Sequence, residues 1–193
     1  PAPVGAPLWR DPMAWSIAGL MGLQSMAFFS TITWLPEILV DDGISEANAG
    51  ALSGITQFVQ LAPAFLIPML AARRDSQVGL LLTIVGTAFV GLLGVLLAPS
   101  VALVWMVFLG IGQGGALGLG LILPVLRGRD PGRVAGMVAM SMGVGYVIAS
   151  TGPAIVGAVF DLTAAWTWPT IVLLAMTAVQ LPVAWHSAKA QKG

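Results

Sequence analysis

"LQSMAFFSTITWLP", Leu23–Pro36, sets one glutamine and four hydroxyl side chains inside an apolar run that ends in tryptophan and proline. Such a segment is either the core helix of a very apolar soluble domain or a membrane-crossing helix with a polar face. Composition separates the two readings. Charged residues are 8% of the 193-residue chain, against roughly 25% in an ordinary soluble domain. Hydrophobic residues are 58% and the mean hydropathy is +0.94. Eight basic and eight acidic side chains could not cover the surface of a soluble fold this size, whereas a multi-pass membrane protein needs no such cover. The zero formal net charge gives no reason to expect nucleic acid as a partner. The lack of cysteine excludes a disulfide scaffold and thiolate chemistry.

Crossing about 30 Å of hydrocarbon takes about 20 apolar residues in a helix. Six stretches meet that length: Met13–Pro36, Gly50–Ala72, Val78–Ala98, Val101–Leu123, Val134–Phe160 and Trp166–His186. The segments are too long, and alternate too little, to be barrel strands. An all-α membrane protein of six transmembrane helices is therefore expected. The proline-rich opening PAPVGAPL reads as the end of a linker over 1–8, followed by a membrane bundle over 9–186 and a tail over 187–193.

Arg10, Arg73, Arg74, Arg127, Arg129, Arg133, Lys189 and Lys192 all fall on one side of this arrangement. Glu37, Asp41, Asp42, Glu46 and Asp161 fall on the other. By the positive-inside rule the basic side, with both chain ends, is cytoplasmic. Tryptophan favours the membrane–water boundary. Trp9, Trp15 and Trp185 fall near the inner boundary, and Trp34, Trp105, Trp166 and Trp168 near the outer one.

Between lipid-embedded helices the driving force is close contact rather than hydrophobicity, which fits the 24 glycines. Gly110, Gly114 and Gly118 form a stripe spaced by four, read first as a packing surface and second as a cavity wall. Gly152–Pro153 is expected to kink the fifth span near Ile148 to Ser150, and Pro63 and Pro68 to disturb the second.

No Asp, Glu, Lys, Arg or His falls at mid-depth, so no embedded proton relay or gating charge is evident. The buried-depth polar groups are neutral. An unpaired amide in hydrocarbon costs several kcal/mol, so each glutamine must face a helix, a cavity or the interface. Gln24, Phe28 and Thr31 share one face of the first span by their i, i+4, i+7 spacing. Gln57 and Gln60 lie one turn apart in the second span, Gln113 near mid-depth in the fourth, and Tyr146 and Ser150 on one face of the fifth. These eight residues are the substrate-lining candidates; amide bonds clamping helices together are the alternative for each glutamine. An internal echo, Gln24 with Ala27 and Gln113 with Ala116, is compatible with two three-helix repeats related by inversion. An intramembrane serine enzyme at Ser53 is disfavoured, because no histidine lies in the membrane to activate it. No catalytic residue, cofactor or metal site is expected.

In order along the chain, "MGLQSMAFFSTITWLPEILVDDGISEANAGAL", "LAARRDSQ", "FLGIGQGGALGLGLIL", "AGMVAMSMGVGYVIASTGPAIVGAVFDLTAAWTWP" and "LLAMTAVQLPVAW" resemble the C-terminal half of major facilitator transporters of the cyanate/nitroimidazole type. The resemblance implies helices seven to twelve of a twelve-helix carrier in the bacterial cytoplasmic membrane. It implies alternating access, and as partners the lipid bilayer and a small polar or anionic solute. The missing wall would be an N-terminal six-helix bundle or a second copy of the chain. Arg73, Arg74 and Asp75 resemble a worn cytoplasmic latch loop. Gly152 and Pro153 resemble the antiporter-type glycine–proline signature. These five are the gating or packing candidates. An integral-membrane structural or assembly module is the competing function.

Overall fold

A computed structural model describes residues 7–189; Lys192 and most of the expected linker and tail lie outside them. The described residues form seven α-helices and no β-strand: α1 Pro12–Asp41, α2 Glu46–Val59, α3 Leu61–Ala72, α4 Val78–Leu97, α5 Ala102–Arg127, α6 Pro131–Thr163 and α7 Thr167–Ala188. Five spans are long and apolar enough to cross a membrane, with α2 and α3 together making one. The sixth expected span, α1, is 30 residues long. Its glutamine, serines, threonines and tryptophans dilute it below the other five. The chain is an all-α, multi-pass membrane protein.

Local chemistry explains the helix ends. Asp11 caps α1, accepting from the Met13 N–H at 2.9 Å, and Asp130 caps α6, accepting from the Arg133 N–H at 2.9 Å. In both helices a proline follows in the first turn, where its missing N–H leaves no helical acceptor unpaired. Arg133 also forms an ion pair with Asp11. The two capped starts therefore sit side by side, and α1 and α6 run parallel. Gly43, at φ +85°, closes α1 with a left-handed turn in which the Ile44 N–H reaches the Leu39 carbonyl at 3.0 Å.

The second span does break, at Gln60, between α2 and α3. Pro63 cannot donate to the Val59 carbonyl, so the helix restarts with Pro63 in its first turn. In α6 no interruption occurs: the helix is continuous through Gly152–Pro153. There the Ser150 and Thr151 hydroxyls bond to the Val147 and Ile148 carbonyls at 2.9 and 2.7 Å, supplying extra local bonds just before the proline.

The glycine stripe of α5 is a packing surface. Gly110, Gly114 and Gly118 lie against the carbonyls of Thr56, Gln60 and Ala64, which follow the same spacing on the broken second span. Helix α1 approaches α6 with equal intimacy: a methyl on Gly22 would stand 3.3 Å from the Gly145 Cα, and one on Gly152 would meet the Ser30 hydroxyl at 2.5 Å.

The core has two apolar halves. One, around Leu35, Leu92, Met106, Leu109 and Leu173, lies toward the end holding Asp41 and Asp42. The other, around Ile17, Leu20, Leu81, Leu119 and Leu123, lies toward the basic end. Gln24, Gln113, Thr177 and Gln180 fall between them along α1, α5 and α7, making a buried polar layer at mid-depth. Three of the four outer tryptophans are tied into the bundle rather than simply facing outward. Trp34 donates to the Pro153 carbonyl at 2.9 Å and packs with Trp166, which stacks on Phe160; Trp105 donates to the Ala98 carbonyl at 2.8 Å. The N–H groups of Trp34 and Trp105 thus find protein acceptors, while Trp168 stays exposed.

Candidate functional site

A cleft of about 200 Å³ opens between α1, α5 and α6, lined by Met21, Gln24, Ser25, Phe28, Phe29, Leu117 and Tyr146. The 3.6-residue period places Gln24 and Phe28 one turn apart on α1, and Tyr146 reaches them from α6. The Ser25 hydroxyl donates to Gln24 Oε1 at 3.1 Å, which leaves the Gln24 amide nitrogen as a donor. Phe28 and Phe29 meet edge to face with centroids 5.3 Å apart. The cleft thus offers an amide, a hydroxyl, a phenol and two aromatic rings, and its lining contains no Asp, Glu, Lys, Arg or His.

Three of the eight lining candidates, Gln24, Phe28 and Tyr146, come together there. The other five lie elsewhere. Thr31 is buried and its hydroxyl donates to the Ala27 carbonyl of its own helix at 2.7 Å. It keeps the expected helical face, but at its level α6 crosses close to α1, where Gly152 meets Met26 and Ser30. Ser150 is exposed and bonded within α6. Gln57 and Gln60 hydrogen-bond to each other at the α2–α3 break. Gln113 is buried behind the cleft, where it lines a cavity of about 10 Å³ together with Gln24, Thr177 and Gln180. Ala27 and Ala116 line the same cavity, so both members of the internal echo meet there.

Sequence reasoning missed Met21, Ser25, Phe29 and Leu117. Ser25 and Phe29 follow the same i, i+4 rule as Gln24 and Phe28, one position on, and that wider stripe was the available signal. Met21 and Leu117 carried no signal distinguishing them from ordinary span residues.

The gating candidates separate as well. Arg73, Arg74 and Asp75 are exposed. Gly152 is buried against α1, and the Pro153 carbonyl holds Trp34. The polar joint at the basic end is built from other residues. Arg127 is buried; its Nε donates to the Ser187 carbonyl at 2.8 Å and its Nη2 to the Lys189 carbonyl at 3.0 Å and to Gln77 Oε1. Gln77 in turn donates to the Ala71 and Arg74 carbonyls at 3.1 and 2.6 Å, and its backbone N–H to the Ala188 carbonyl at 2.7 Å. A cation set among free C-terminal carbonyls is favourable through the helix dipole and through direct bonds. This joint ties the ends of α3, α5 and α7 to the start of α4. In the sequence Arg127 was indistinguishable from its loop neighbours Arg129 and Arg133.

Among the described residues no group of three His, Cys, Asp or Glu could hold a metal ion. Ser53 Oγ is buried there without a hydrogen-bond partner.

The chain is 41% identical over 170 residues to "Uncharacterized transporter YycB" of Bacillus subtilis, covering 87% of this chain and 42% of that protein. It is 34% identical over 162 residues to the "2-nitroimidazole transporter" of Escherichia coli, covering 84% and 41%. It is 32% identical over 143 residues to the "Cyanate transport protein CynX" of the same organism, covering 74% and 37%. The chain spans about two fifths of the length of these curated relatives. No protein-family model matches it. All three relatives are named as transporters, and the similarity supports the major facilitator superfamily at that broad level.

Proposed function

We propose that the chain is one six-span wall of a secondary transporter, and that a small polar or anionic solute binds in the cleft between α1, α5 and α6. The observation that carries this reading is the convergence of Gln24, Ser25, Phe28 and Tyr146 on one open cleft beside a less apolar helix, in a homologue of bacterial transporters. About 200 Å³ suits a solute of few heavy atoms, below the usual 300–1,000 Å³ of drug-sized pockets. Donors from an amide and a phenol can hold an anion or a nitro group without a fixed positive charge, which keeps release easy. The aromatic walls suit a flat solute.

The wall needs a counterpart. Only 11% of the residues in the apolar stretch of α2–α3 and 22% in that of α6 are buried, against 67% for α5. These two thinly covered spans flank the cleft side. A second six-helix bundle, from the same polypeptide or a second copy, would face them and rock against this one, exposing the cleft to alternate sides. The two three-helix sets are proposed to be inverted repeats, with the basic end and both termini in the cytoplasm of a bacterial inner membrane.

Proteoliposomes holding the full-length gene product should take up 2-nitroimidazole or cyanate saturably. Tyr146→Phe, at a 57% exposed position, should weaken uptake while leaving the folded protein intact. If neither probe shows saturable flux, nor any weak organic acid, the transport reading is lost and a structural membrane module takes its place.

A further inference from the structure

The small cavity behind the cleft is lined by residues of four helices: Gln24 of α1, Ile84 and Val85 of α4, Gln113 of α5, and Thr177 and Gln180 of α7. Gln24, Gln113 and Gln180 are each more than nine-tenths buried. Among the described residues no protein group hydrogen-bonds to the amides of Gln113 or Gln180, and Gln24 has only the bond from Ser25 to its oxygen. The Thr177 hydroxyl spends its proton on the Leu173 carbonyl at 2.9 Å, so it faces the cavity as an acceptor. Gln113 and Gln180, left without partners, would each forfeit about the full desolvation cost of their polar atoms. A cavity of about 10 Å³ admits one water and nothing larger.

We propose that this cavity binds a single ordered water held by Gln24, Gln113 and Gln180, and that through it Gln113 and Gln180 act as positioning residues for Gln24. A water offers two donors and two acceptors, matching three amides and the threonine oxygen. A bare metal cation fits less well, because no carboxylate lines the cavity to balance its charge. Gln24 lines both this cavity and the open cleft. Fixing one side of its amide toward the water aims the remaining donor at the solute. The positioning role rests on the proposed transport function; the water site does not.

The test has two arms, both on the full-length gene product. In the first, an experimental density map that resolves ordered water should show one peak within hydrogen-bond reach of all three amides. Thermal unfolding should then show strong coupling. Gln113→Leu and Gln180→Leu should each lower the midpoint by about 5 °C, since each strands the other amides. The triple variant Q24L/Q113L/Q180L should recover most of that loss, since it leaves no amide to satisfy. A dry cavity with the amides bonded directly to one another, or single losses that simply add in the triple variant, overturns the water site. In the second arm, uptake of 2-nitroimidazole by Gln180→Leu should show KM raised several-fold with Vmax per folded protein retained. An unchanged KM overturns the positioning role. If the first arm succeeds and wild-type protein transports none of the probes, the water site stands and the transport reading fails.

Discussion

The Ala64 carbonyl oxygen occupies the space a side chain at Gly118 would need: a Cβ built there would lie 2.6 Å away, with the Pro68 ring at 2.9 Å. The same Pro68 deprives the Ala64 carbonyl of the N–H four residues on that would normally bond it. The unbonded carbonyl and the bare glycine thus answer each other across α3 and α5. Gly118→Ala should destabilise the protein by about 1–3 kcal/mol, because the obstacle is backbone and not a movable side chain. Gly54→Ala and Gly86→Ala, with no atom within 4 Å of the added carbon, should leave stability unchanged or slightly raised. Thermal unfolding in detergent separates the three.

The joint at the basic end predicts unequal arginines. Arg127→Met strands the Ser187 and Lys189 carbonyls and the Gln77 amide, and should cost about 1–3 kcal/mol in stability. Arg73→Gln and Arg74→Gln, at exposed positions, should change stability by less than about 0.5 kcal/mol. Equal losses from all three would remove the joint's special role.

The cleft predicts a division between binding and folding. Loss of one neutral hydrogen bond in Tyr146→Phe should raise KM about fivefold, near 1 kcal/mol. Ser25→Ala should act in the same direction, since it frees the Gln24 oxygen from its one protein donor. Thr31→Val, at a buried position whose hydroxyl bonds only its own helix, should leave KM unchanged. A Thr31→Val effect as large as that of Tyr146→Phe would place the binding region elsewhere.

The proposed orientation is open to direct chemistry because the chain has no cysteine. Single cysteines at Arg74, in the α3–α4 turn, and at Ser100, in the α4–α5 turn, should react differently with a membrane-impermeant thiol reagent in intact cells. Position 100 should label and position 74 should label only after permeabilisation. Labelling of 74 from outside would invert the assignment.

How far the sequence could be read depends on the range of each interaction. The apolar segments and the disturbance of the second span come from hydrophobic length and proline chemistry, both local along the chain. The packing use of the Gly110–Gly114–Gly118 stripe was also legible, since small residues at that spacing have one dominant use between membrane helices.

Periodicity says which residues share a face of one helix, but not which helix stands opposite, or whether any does at that depth. That is why Gln24, Phe28 and Thr31 could be grouped by sequence while only the first two reach the cleft. It is also why Gln113 could be placed at mid-depth but not behind Gln24, and why Arg127 could not be told from Arg129. Local chemistry determined that this chain makes apolar helices with its basic groups gathered toward one end. Tertiary packing alone decided which of its polar groups meet across helices, because meetings such as Ser16 with Ser187 and Arg127 with Gln77 join residues 171 and 50 positions apart that nothing along the backbone links.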